Sequence, residues 1–307
     1  MRWARLLREL GHRVSVEREW SGAPSDLMIA LHARRSHASI RRYAASFPER
    51  PLIVALTGTD LYRDIRSDPA AKSSLRLATR LVVLQERGVE ELAARLRAKT
   101  RVVYQSARTV PRPAPLTSCF EVVVSGHLRA EKDPFRAAAA LAYLPTESRI
   151  RVTHIGAALH ADMSAEARAW MAREPRYRWL GEVPAWRALR LLARSRLMVL
   201  SSRMEGGANV VSEALALRVP VVASRIPGNV GMLGSRYVGY YPVADERALA
   251  RLLDRAERDE NYYDVLRRAC AARAFLVAPG REKAALRKLV TEAAAARSIS
   301  KRGKPAA

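Results

Sequence analysis

Cysteine is nearly absent from this sequence. Its two thiols, Cys119 and Cys270, stand far apart among 307 residues. They form neither a disulfide framework nor metal-ligand spacing, as expected of a reduced, cytoplasmic protein. Long hydrophobic runs are missing too. No stretch of about 18 uncharged apolar residues occurs, so no membrane-spanning helix is expected, and the N-terminus lacks the apolar run and cleavage site of a secretory leader. Lysine is scarce: of 54 basic residues 7 are Lys and 47 are Arg, against 30 acidic ones, for a net charge of +24. Basic nucleic-acid binders concentrate charge in blocks interleaved with aromatics. Here the arginines are dispersed among alanines, and the densest basic stretch is the tail "KRGKPAA". A specific nucleic-acid partner is therefore not expected. Such charge attracts anionic surfaces and phosphorylated small molecules alike, which admits membrane association without requiring it. No Ser-His-Asp set and no metal-ligand cluster is legible. His12, His32, His37, His154 and His160 read as structural or exposed.

What remains is an apolar content of 49%, enough for a globular core, in a chain long enough for two domains. Short apolar runs alternate with longer amphipathic segments. "RWARLLREL" has helical spacing and stops at Gly11. "HRVSVE" alternates like a strand, "LMIALHA" and "PLIVALTG" read as buried strands, and "RLVVLQ" and "TRVVYQS" flank a helix over "ERGVEELAARLRA". A proline-rich stretch without periodicity, 107–118, reads as linker. The alternation then restarts: strand "CFEVVVSG", helix "DPFRAAAALAYLP" with Asp133 and Pro134 as cap and first turn, strand "IRVTHIGA", and later strands "RLMVLSS" and "VPVVAS". β-branched runs separated by helices indicate parallel sheets covered on both faces. The expected fold is α/β, two Rossmann-like doubly wound domains facing a cleft. The expected limits are 1–110, a linker over 111–118, a second domain over 119–290 and a tail over 291–307.

"RLMVLSS" ends at Ser202, and ligands in open parallel sheets bind beyond the carboxyl ends of strands. Arg203 to Asn209 should lie there. Gly206 and Gly207 let the backbone approach a ligand, and the helix from Asn209 presents free N–H groups suited to phosphate. Glu205 lies in the loop, and Glu213 lies one turn into the helix. Carboxylates so placed accept hydrogen bonds from hydroxyls. Phosphates plus hydroxyls suit a nucleotide sugar, although a Gly-Gly turn and a solvated helix glutamate would look the same.

Glu205 and Glu213, spaced E-x7-E and followed by "EALALRVPVVAS", resemble the donor motif of GT-B glycosyltransferases of the family 4-like group. The resemblance implies a first glutamate beside the donor sugar and a second on the ribose. It extends to "SGHLRAEKDPF", where Gly126 and Lys132 match the elements that hold the donor diphosphate. His127 stands where the family has arginine, and Arg129 is the candidate to supply the missing charge. Arg218 replaces a usual glycine, which should strain its turn. "ALTGTDLYRDI", "GHLRAEKDPFRAA", "SRMEGGANVVSEAL" and "IPGNVGMLG" together resemble the selenosugar synthases of selenoneine biosynthesis. This implies a hexosyltransferase that moves a sugar from a UDP-sugar to selenophosphate, with no cofactor and no metal. Lys132, Arg129 and Glu205 are then the catalytic candidates. Gly126, His127, Gly206, Gly207, Ala208, Asn209, Glu213 and Asn229 line the donor side. Thr57, Gly58 and Asp60 face the cleft from the first domain, although Asp60 reads equally well as a helix cap. The rivals are a GT-B enzyme of polysaccharide or glycolipid synthesis and, from another class, a basic nucleic-acid-binding protein. The resemblance also implies a further strand and small-residue loop ahead of "MRWARLL", so the first domain is expected to lack its N-terminal strand and to be the less stable of the two.

Overall fold

The structure, a computed structural model, describes residues 2–302; residues 303–307 of the expected tail lie outside the described residues. The chain divides into two compact units, Met1–Gln105 with Pro279–Ala307, and Ser106–Ala278. The expected boundary at 290 therefore moves. The helix from Pro279 returns to the first unit, because its apolar face has its partners there.

That first unit holds four parallel strands in spatial order β1 (Met28–Leu31), β2 (Leu52–Ala55), β3 (Arg80–Val83) and β4 (Thr100–Val102). Every residue of β2 is buried, which is why it reads as an unbroken apolar run. Its side chains alternate between two cores. Leu52 and Val54 pack with Ile40 and Tyr43 of α2 (His37–Ser46) and Leu75 of α3 (Pro69–Leu77). Ile53 and Ala55 pack with Leu6 of α1 (Arg2–Glu9) and with Leu286 and Leu289 of α11 (Pro279–Arg302). Glu282 of α11, fully buried, fastens α1 by accepting from Trp3 Nε1 at 2.7 Å and Arg2 Nε at 3.2 Å.

Two expected elements differ. Residues 12–17, "HRVSVE", form no strand. Alternation does not make a strand without a ladder partner, and β1 pairs only with β2 among the described residues. The helix expected over 86–98 is a 3-10 turn, Glu86–Val89, and one short turn, Ala94–Arg97. Gly88 sits where a Cβ would lie 2.9 Å from Val83, and the Gln85 side chain accepts from its N–H at 3.2 Å. Both hold the chain against the sheet and off a helical course.

The second unit has six parallel strands: β5 (Phe120–Ser125), β6 (Ile150–Ile155), β7 (Tyr177–Trp179), β8 (Leu197–Leu200), β9 (Val221–Ser224) and β10 (Tyr240–Tyr241). Their spatial order is β10-β9-β8-β5-β6-β7, the doubly wound order. The chain builds outward from β5 to β7, then crosses back to start β8 on the other side. The winding reverses between β5 and β8, where Val122 pairs with Leu197 and Val124 with Val199. Helices α4 (Arg136–Leu141), α5 (Ala161–Arg173), α6 (Ala185–Arg194), α7 (Asn209–Leu217), α8 (Pro227–Leu233), α9 (Glu246–Arg258) and α10 (Glu260–Arg273) complete the unit. The glycine-rich segment "PGNVGMLG" is mostly helix α8. Asp133 does not cap α4, whose N-cap is Phe135. Its carboxylate instead takes the Arg136 guanidinium, Nε at 2.9 Å. Arg218 does adopt the left-handed conformation, φ +56°, at the end of α7.

Candidate active site

Two loops leave the sheet at its reversal point, 126–132 after β5 and 201–208 after β8. They are laced by polar contacts that neither loop makes alone. Ser201 Oγ donates to the carbonyls of Lys132 at 3.0 Å and Asp133 at 2.8 Å. Arg203 N–H donates to the Glu131 carbonyl at 2.9 Å. The Lys132 ammonium forms a short ion pair with Glu205 Oε1, which also accepts from Ser202 Oγ at 2.6 Å. The ion pair is largely withdrawn from water, with side-chain exposures of 19% and 9%. In such surroundings an ion pair is strong only where further hydrogen bonds complete it, as Ser202 does here.

The Glu205 loop is also braced from behind. Ser224 Oγ, at the end of β9, donates to the Ser202 carbonyl at 2.5 Å. Gly228 of α8 packs so closely that a Cβ would stand 1.9 Å from the Glu205 carbonyl oxygen. Asn229 is fully buried. Its amide donates to the Ser224 carbonyl at 2.9 Å, tying α8 to β9, so it lies beneath the loop rather than on the donor-side lining.

The β5 loop is held by β6. Gly156 has φ +147°, and a Cβ there would come 2.1 Å from the Gly126 carbonyl oxygen. His154 Nε2 lies 3.3 Å from that oxygen and its Nδ1 lies 2.9 Å from the Tyr177 hydroxyl. A carbonyl only accepts, so Nε2 carries the proton and Nδ1 accepts from Tyr177. Burial pulls the His154 pKa down to about 4, against the Gly126 bond that favours charge. The ring is therefore neutral and serves as a fixed strut. His127 is exposed, and its Nδ1 accepts from the Ala157 N–H at 3.1 Å. Arg129 is exposed beside it.

Helix α7 begins beyond Gly206, Gly207 and the buried Ala208, whose side chain, as the N-cap, makes no capping hydrogen bond. The dipole of its first turn is therefore directed at the loop. Asn209 is exposed at its start, and Glu213 is half-buried one turn in. A cation fixed by an ion pair, Lys132, the start of helix α7 and a buried glutamate thus meet at the strand ends. Such a set can hold a diphosphate and hydroxyls without a metal ion. His154 is structural, as the sequence suggests, whereas Ser201, Ser202, Ser224 and Gly156 carry no signal of their part in the sequence beyond the placing of the serines at strand ends, because each acts on a partner in another strand or loop.

In the first unit, Thr57 is exposed and Gly58 is buried after β2. Asp60 is fully buried. Its carboxylate accepts the N–H groups of Thr57 at 2.8 Å, Gly58 at 2.9 Å and Ala33 at 2.9 Å. It is a clamp between the turns after β1 and β2.

The profile of the family described as "Glycosyl transferases group 1" matches residues 116–274, just over half of the chain. No curated protein matches the chain. Among solved structures, Anabaena Alr3699/HepE in complex with UDP and glucose is 18% identical with a TM-score of 0.69, over 90% of this chain and 78% of that one. An α,α-trehalose 6-phosphate synthase from Burkholderia multivorans is 12% identical with a TM-score of 0.72, over 93% and 74%. The pneumococcal O-GlcNAc transferase GtfA, in complex with UDP and GlcNAc, is 16% identical with a TM-score of 0.67, over 82% and 54%.

Proposed function

This chain belongs to the glycosyl transferases group 1 family and has its GT-B fold, and on that premise we propose that it moves a sugar from a UDP-sugar to a small anionic acceptor, selenophosphate. The observation that carries the donor side is the joining of Lys132 and Glu205. They lie 73 residues apart in sequence, yet form one ion pair at the point where the sheet reverses. An ammonium has three donors. One is engaged by Glu205, which leaves two for a diphosphate. Lys132, Arg129 and the amides of Gly206 to Asn209 stabilise the departing UDP as the bond from the anomeric carbon to the phosphate oxygen breaks. Preorganised positive groups of this kind need no reorganisation at the moment of reaction. Glu205 touches the sugar and Glu213 the ribose. The two nucleotide-bound relatives, solved with UDP and a sugar, support a UDP-linked donor.

The acceptor assignment rests on the combination of "TGTDLY", "GHLRAEKDP" and "MEGGANV", and on an arginine excess suited to anions. Incubating the protein with selenophosphate and a panel of UDP-sugars should release UDP and yield a selenium-containing sugar by mass spectrometry. Thiophosphate should compete with selenophosphate. Among the described residues no helix is long and apolar enough to cross a membrane. If a lipid-linked acceptor stimulates UDP release while selenophosphate and thiophosphate do not, the glycolipid reading replaces this one.

A further inference from the structure

His32, which reads from sequence as structural or exposed, follows β1 with φ +79°. Bulky L residues avoid that conformation, and where it persists the surroundings must enforce it. Here the Asp60 clamp enforces it, together with the His32 N–H, which donates to the Ala55 carbonyl at 2.8 Å. Asp60 opens a π-helical turn, Asp60–Asp64, a rare conformation that gathers at functional sites. The cluster stands at the carboxyl ends of two neighbouring parallel strands, where ligands of such sheets bind.

The bonding of the ring dictates the direction of the next bond. Arg35 N–H donates to His32 Nδ1 at 3.2 Å, so that nitrogen carries no proton and the ring is the neutral Nε2–H form. Nε2 lies 3.0 Å from Thr59 Oγ1, which must therefore accept. The Thr59 proton is left to donate elsewhere. Thr59 gives no side-chain cap to the helical turn it precedes, and the neighbouring Thr57 is exposed. The nearby cations differ in their engagement. Arg34 pairs with Asp68 at 2.9 Å and Arg63 with Asp64 Oδ1 at 3.0 Å, whereas the exposed Arg35 guanidinium has no carboxylate within 4 Å among the described contacts. The two aspartates do not oppose an anion strongly. Asp60 is taken up by three amides, and the charge of Asp64 is met by Arg63 on Oδ1, with Oδ2 3.9 Å from His32 Nε2. Among the described residues no cluster of His, Cys, Asp or Glu has the placement to hold a metal ion.

We propose that this turn cluster binds a small tetrahedral oxyanion of the phosphate type through the Thr59 and Thr57 hydroxyls, with Arg35 supplying charge. His32 is the positioning residue that aims the Thr59 proton. Identifying this oxyanion with the sugar acceptor rests on the function proposed above; the anion site does not.

Calorimetry on the full chain, with UDP at saturation to occupy the donor site, tests it with inorganic phosphate and thiophosphate as probes. Thr59→Val should weaken their binding about ten- to a hundredfold, the loss of one hydrogen bond to a charged group. Thr59→Ser should restore it, and His32→Asn, which tolerates the left-handed backbone but cannot reach Thr59, should weaken it as Val does. If Thr59→Val fails to fold, Thr57→Val, at an exposed position, gives the same reading. A wild type that binds neither probe, or valine variants that bind both as well as wild type, overturns the site. Hydroxyl-dependent anion binding without turnover of any UDP-sugar supports the site and sinks the functional reading. Turnover with affinities indifferent to Thr57 and Thr59 does the reverse.

Discussion

The two sheets arrive at polar clusters by different routes. In the six-stranded sheet the winding reverses between β5 and β8, so two loops from distant sequence leave side by side. Polar lacing then joins them with little backbone distortion beyond Gly156 and Asp133, φ +46°. The four-stranded sheet runs β1 to β4 without reversal among the described residues, so no crossing of that kind sets distant loops side by side in it. Its cluster comes from local strain instead: a left-handed His32, a π-helical turn and a buried carboxylate that holds both. One unit draws its candidate site from strand order, and the other builds its polar cluster from a clamped turn. The two should therefore fail differently when perturbed.

The largest expected effect is on the bracing of the topological site. Gly156→Ala would put a methyl group against the Gly126 carbonyl, and the clash with backbone should destabilise the protein by about 3 kcal/mol. Gly280→Ala, where nothing lies within 4 Å, should stay within about 0.5 kcal/mol. Urea denaturation of both variants checks this, and equal stabilities would show that β6 does not constrain the loop.

Acid should expose the struts. His154 has a folded pKa of about 4, below its unfolded value of about 6.5. Between those values the unfolded chain takes up a proton that the native ring refuses, so stability falls as pH falls. The loss should approach about 3 kcal/mol by pH 4. His154→Gln should flatten that part of the slope. His32, lowered chiefly by burial with Asp60 opposing, adds in the same direction from the first unit. Hydrogen exchange at pH 7 and pH 5 separates the two contributions by strand.

Donor binding sharpens the comparison next. Glu213→Ala should weaken UDP about ten- to a hundredfold, whereas Glu205→Gln should spare free UDP and slow transfer. Calorimetry with UDP, set beside turnover of the UDP-sugar, distinguishes them. Equal losses for UDP and UDP-sugar in both variants would remove the division of labour between the two glutamates.

The smallest effect belongs to the first unit. Glu282→Ala should cost about 1–2 kcal/mol by leaving the Trp3 N–H without its acceptor and Arg2 without its ion pair. Faster exchange should appear in α1 and the β2–β3 ladder, with β5 and β8 unchanged. Faster exchange in β5 and β8 as well would show that the two units are coupled.

Much of the fold was legible because parallel strands buried on both faces carry continuous β-branched runs. "LIVA" and "FEVVVS" read as strands and are strands. The failures were segments whose state depends on a neighbour. "HRVSVE" has the period of a strand but no ladder partner, and 86–98 has helical composition but is held to the sheet through Gly88. The site divides the same way. Lys132, Glu205, the Gly-Gly pair and Glu213 stand out in the chain because their types and spacing suit a phosphate and hydroxyl ligand. Asn229 also stood out, yet it is buried beneath the loop. His154, Gly156 and His32 looked ordinary, because what distinguishes them is a contact.

The sequence by itself therefore determined the alternation of strands and helices, the class of the fold, and which carboxylates and cations were available. Periodicity and residue chemistry are local properties, and local properties survive in one dimension. Only the tertiary structure decided that Lys132 meets Glu205, that Pro279 onward completes the first unit, and that Asp60 holds His32 in a left-handed turn. Each of those depends on which strand lies beside which. That order is set by the burial of whole faces, and no single segment encodes it.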